Sequence, residues 1–72
     1  MKYILFNLPR GMTIWTEGDT LSDALDKFVF YFGMSFDDDI HGDVTWAVNA
    51  SQDKVITTYN GISELWHLSE WG

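Results

Sequence analysis

Cysteine is absent from the 72 residues, and with it any disulfide framework, thiolate metal site or cysteine nucleophile. Small secreted domains usually depend on such staples. Their absence, together with the lack of a charged-then-apolar leader, predicts a cytoplasmic protein. Long apolar runs are also missing, and none approaches the ~20 residues a membrane span needs. Bases are scarce: four Lys and Arg stand against eleven Asp and Glu, for a net charge of −7. That balance argues against direct binding to nucleic acid or to an anionic membrane. No linker, repeat or low-complexity tract interrupts the chain, so one domain over 1–72 is expected.

What is present is apolar mass and a localised charge. Hydrophobic residues make up 46% and aromatics 17%, too much for a disordered chain. Between Glu17 and Asp43 stand Glu17, Asp19, Asp23, Asp26, Asp37, Asp38, Asp39 and Asp43, with Lys27 as the one base. Elsewhere Asp53, Glu64 and Glu70 are matched by Lys2, Arg10 and Lys54. The whole net charge therefore belongs to the Glu17–Asp43 stretch, which suits a basic partner.

The patterning predicts the elements. Tyr3 to Leu8 is apolar on both alternations, as expected of a strand covered on both sides or lying centrally in a sheet. Pro9-Arg10-Gly11 reads as a turn into a second strand over 12–16, closing a hairpin. Thr20 is a good N-cap, with Asp23 completing a capping-box-like pattern. Leu21, Ala24, Leu25, Phe28, Val29 and Phe32 then form one apolar helical face, and Gly33 is the predicted stop. Residues 34–43 connect to a half-buried strand in which Val44, Trp46, Val48 and Ala50 alternate against Thr45, Ala47 and Asn49, Trp46 being the expected core tryptophan. Lys54 to Tyr59 is a fourth strand. Asn60-Gly61 signals a tight turn, but residues 62–68 read equally as a short helix or a fifth strand. The expected fold is α+β in ββαββ order, with one amphipathic helix on a four- or five-stranded antiparallel or mixed sheet.

Length, the opening hairpin and Asp19-Thr20-Leu21 at the helix start resemble ubiquitin-type β-grasp domains. The ending Glu70-Trp71-Gly72 departs from the diglycine tail of conjugated modifiers, which leaves a conjugating role without its motif. Residues 17–25 are also similar to the strand-to-helix turn of HicB-type antitoxins.

Candidate chemistry is sparse. Asp37, Asp39, His41 and Gly42 match the start of a calcium loop, but His41 takes a ligand position and Val48 stands where the bidentate Glu belongs. No catalytic set, metal or cofactor is expected: there is no nucleophile elbow, no phosphate-cradling glycine loop and no paired histidines. One residue breaks the binary pattern. At 100° per residue Phe30 points away from the apolar helix face, beside Asp23 and Asp26. It is read as an anchor for a partner, as a residue covered by Trp66 and Trp71, or as a homodimer contact.

The sequence thus predicts a small, non-enzymatic binding protein that inhibits a nucleic-acid-handling protein by occupying its basic surface. Asp37, Asp38, Asp39, Asp43, Glu17, Asp19, Asp23, Asp26 and Phe30 are the predicted contact residues. In general character it resembles the acidic inhibitors of phages and mobile elements, such as anti-CRISPR and anti-restriction proteins, some of which mimic DNA. The alternatives are an antitoxin-like regulator, or an accessory subunit assembling through Phe30, Tyr31 and Trp71.

Overall fold

The computed structural model describes residues 1–35 and 44–71. Six elements follow in order: β1 (Lys2–Asn7), β2 (Met12–Glu17), α1 (Leu21–Ser35), β3 (Thr45–Val48), β4 (Lys54–Tyr59) and β5 (Ile62–Trp71). The strands form one sheet in the order β2-β1-β5-β4-β3, with every neighbouring pair antiparallel. The α+β class and the single helix match the patterning, and of the four or five strands, antiparallel or mixed, that it allowed, the structure has five, all antiparallel. The hairpin β1–β2 supplies one edge, and α1 carries the chain across one face to the other edge. β3, β4 and β5 then return as a meander until β5 pairs with β1.

Residues 62–71 are strand, not helix. Asn60 and Gly61 both take positive φ, 50° and 74°, the combination that a two-residue type I′ hairpin requires and whose twist matches its flanking strands. This turn hands β4 directly to β5, and period-2 alternation then buries Trp66 and Leu68. The weak β propensity of the segment is overridden by its place between β1 and β4.

Two expectations need correcting. Gly33 does not end the helix, which runs on to Ser35. A glycine stop works through a left-handed φ, and Gly33 is not among the positive-φ residues; it instead faces Val44 across the helix–β3 contact. Trp46 is not the core tryptophan either. On edge strand β3 it is only half-buried, whereas Trp66 on central β5 is fully buried. Centrality in the sheet, which alternation cannot report, decides between them.

The core lies between α1 and one face of the sheet. Leu25, Phe28 and Phe32 descend from the helix onto Tyr3, Leu5, Val55, Tyr59, Trp66 and Leu68. Rings organise it: Phe28 and Phe32 meet Trp66 edge-on at centroid distances of 4.9 and 5.2 Å, and Phe32 meets Tyr59 at 5.6 Å, geometries that aromatic quadrupoles favour. The polar atoms in this layer are paired. Trp66 Nε1 donates to Thr57 Oγ1 at 2.9 Å, and Thr16 Oγ1 donates to the Ala24 carbonyl at 2.7 Å. No buried side-chain nitrogen or oxygen among the described residues lacks a partner. No described helix is long and apolar enough to cross a membrane.

Candidate binding surfaces

The helix presents the first surface. Thr20 Oγ1 accepts from the Asp23 amide at 3.1 Å, capping α1 as its sequence predicts. With the cap fixing the helix phase, Phe28 and Phe32 point inward, and Phe30 stands opposite them, 64% exposed. Tyr31 beside it is exposed as well, the two rings 6.3 Å apart. Asp23 and Asp26, on either side of Phe30 around the helix, are exposed, as are Glu17 and Asp19 just before it. Neither Trp66 nor Trp71 covers Phe30: Trp66 is in the core, and Trp71 packs against Trp15 with ring centroids 4.6 Å apart. Asp26 also has an internal role, since its Oδ1 accepts from Trp46 Nε1 at 2.9 Å and ties the helix to edge strand β3. Asp37, Asp38, Asp39, His41 and Asp43 lie outside the described residues.

Two of the three bases beyond the acidic stretch, Arg10 and Lys54, are paired with carboxylates in space. Arg10, in the β1–β2 turn, grips Glu64 of β5 through both Nε and Nη2, donates to Tyr59 Oη at 2.6 Å, and places its guanidinium 5.3 Å from the Phe32 ring. Asn7 Nδ2 adds a bond to Glu64 at 3.2 Å. The bidentate guanidinium holds the Glu64 carboxyl below its ordinary value, against an opposing push from burial. Lys54 approaches Asp53 at 3.7 Å, and Asp53 is held low chiefly by the Asn49 amide. Asn49 is occupied within its own turn, its Oδ1 accepting from the amides of Asp53 and Lys54, both at 3.0 Å. Among the described residues no group of three or more His, Asp or Glu side chains is placed to hold a metal.

The second surface was not anticipated. The face of the sheet turned away from α1 carries Lys2, Ile4 and Phe6 from β1, and Thr13, Trp15 and Glu17 from β2. Leu65, His67, Ser69 and Trp71 extend it on β5, with Lys54, Ile56 and Thr58 on β4. Register aligns them in rows across strands, Trp15–Ile4–Ser69, Thr13–Phe6–His67–Lys54 and Leu65–Ile56–Ala47. Trp15, Ile56, Leu65 and Trp71 are between 42 and 54% exposed. Lys2 Nζ sits 5.2 Å over the Trp71 ring, and an open groove beside this corner is lined by Trp15, Glu17, Lys27 and Tyr31 among others. The one signal of this face in the sequence was the two-sided apolar character of β1.

No family model, curated protein or solved structure matches this chain.

Proposed function

We propose that this is a binding protein whose acidic helix side occupies a basic, nucleic-acid-binding surface of a larger protein and thereby inhibits it. The observation that carries the reading is Phe30, 64% exposed on the side of α1 opposite the core and flanked by the exposed carboxylates of Asp23 and Asp26. An aromatic anchor within a field of like charge suits a groove built for a polyanion: the ring supplies desolvated contact, and the carboxylates stand where phosphates would. The eight acidic residues of the Glu17–Asp43 stretch, including Asp37, Asp38 and Asp39, extend that field along the chain. Outside the stretch, the pairing of Arg10 with Glu64 and of Lys54 with Asp53 leaves little positive charge to oppose it.

The test is capture from source-cell lysate on immobilised protein, eluted with salt and, separately, with duplex DNA. Nucleic-acid-binding proteins are expected to be retained, and to be released by moderate salt and by DNA. Phe30→Ala, and the triple replacement of Asp37, Asp38 and Asp39 by Asn, are expected to lose them, the triple variant with a shallower salt dependence. Retention that ignores DNA and persists in both variants overturns the proposal.

A further inference from the structure

The outer face of the sheet supports a conclusion independent of the acidic helix. We infer that it is a self-association surface, joining two copies of this chain face to face into a sandwich of two sheets. An antiparallel sheet with one free face ordinarily alternates apolar inward with polar outward. Here the outward set includes Ile4, Phe6, Trp15 and Trp71, grouped on β2, β1 and β5 with the Trp15 and Trp71 rings in contact, and Leu65 paired with Ile56 on β5 and β4. Apolar residues scattered singly on a surface are ordinary, whereas a continuous patch marks an interface. β1 shows the same thing from the sequence, since both of its alternations are apolar and the helix covers only one.

Charge selects the occupant. The outer face carries Lys2, Lys54 and Glu17, with Lys2 and Glu17 directly opposed across β1 and β2, so it is close to neutral while the chain as a whole carries −7. A basic partner finds little to recognise there. A second copy meets a neutral apolar face, and the arrangement turns the two acidic helices to opposite outsides, where their repulsion is smallest. Area allows it as well. Five strands about 4.8 Å apart and six residues long at about 3.3 Å each give roughly 500 Å² in projection, and side-chain relief raises the accessible area above that. Specific interfaces begin near roughly 600 Å² per partner, so this face stands at the small end of that range and the expected dimer is a weak one, its affinity set by packing quality more than by area. Sheets so joined pack about 10 Å apart with their side chains interleaved.

The experiment is sedimentation equilibrium of the full chain from roughly 1 µM to a few hundred µM, a range that reads dissociation constants from about a micromolar upward to about a hundred micromolar. It is run with Trp fluorescence at about 50 mM and about 500 mM salt. The expected result is a shift from the 8.3 kDa monomer to twice that mass. Emission from Trp15 and Trp71 should move to the blue and become shielded from a soluble quencher as the dimer forms. Affinity should rise with salt, because screening relieves the repulsion between two strongly negative chains. Leu65→Glu and Ile56→Lys are expected each to weaken the dimer by about 30-fold or more, with far-UV circular dichroism unchanged, while Phe30→Ala leaves it intact. A monomer throughout the range overturns the inference. So does a dimer whose tryptophan emission and quencher access do not change, or one abolished by Phe30→Ala and indifferent to Leu65→Glu and Ile56→Lys. The first two outcomes do not bear on the acidic helix face, whose partner binding weakens with salt, whereas the third would move the self-contact onto that face.

Discussion

Two residue pairs, one inside the core and one at its rim, show how much depends on a few polar contacts. The Trp66 indole, surrounded by Phe28 and Phe32, finds its single acceptor in Thr57 Oγ1. Thr57→Val keeps the shape and removes the acceptor, leaving a buried N–H unpaired. The expected loss is about 1–3 kcal/mol, read from urea unfolding, with the near-ultraviolet tryptophan signal preserved in the folded state. Glu64 contributes in a pH-dependent way. Because Arg10 holds its folded carboxyl below the ordinary value near 4.5, its contribution is fully present above that pH and is lost as the pH falls through the folded value. The stability difference between the wild-type protein and Glu64→Gln is therefore expected to shrink as the pH drops from about 7 to about 3, as followed by thermal unfolding. A difference constant with pH would mean that the Arg10–Glu64 charge does not matter and only the shape of the pair does.

At the scale of elements, α1 was readable in advance because three independent signals agree: the Thr20 cap, the Asp23 carboxylate in the first turn and an apolar stripe of helical period. The outward direction of Phe30 follows from the same helical phase and was legible too, but its exposure was not, because cover by Trp66 and Trp71 stayed open until β5 was placed. β5 was not, because its local signals conflict. Its side chains lean towards helix, and only the turn at Asn60 and Gly61 and the pairing with β1 and β4 make it strand. Without that pairing there is no way to know which alternation of β5 meets the helix, and so no way to see the outer apolar face. The entry to α1 depends on close packing as well. A Cβ on Gly18 would fall 2.7 Å from the Ala24 amide nitrogen and 2.8 Å from Asp23 Cβ, so only glycine lets β2 turn tightly onto the helix. Gly18→Ala is expected to destabilise the fold by about 1–3 kcal/mol through overpacking, measurable as a lowered urea midpoint at unchanged slope.

The whole molecule has two chemically different sides. One bears the helix, its carboxylates and Phe30; the other is a sheet with aliphatic and indole groups outward and little net charge. Joined through their sheets, two copies would present two acidic faces pointing apart, and a partner with two basic sites would gain avidity from both. The position of β5 has a further consequence. The hairpin β1–β2 and the pair β3–β4 share no strand contact except through β5, which lies between them. A chain emerging from the ribosome therefore holds two unjoined half-sheets until residues 62–71 are free. Closing Lys2 against Trp71 then links positions from opposite ends of the sequence, a non-local step that slows folding. Until it happens, Leu5, Val55 and the inner faces of Phe28 and Phe32 wait for Trp66 and Leu68, and it is in that interval that such a chain is most open to chaperones or to misassociation.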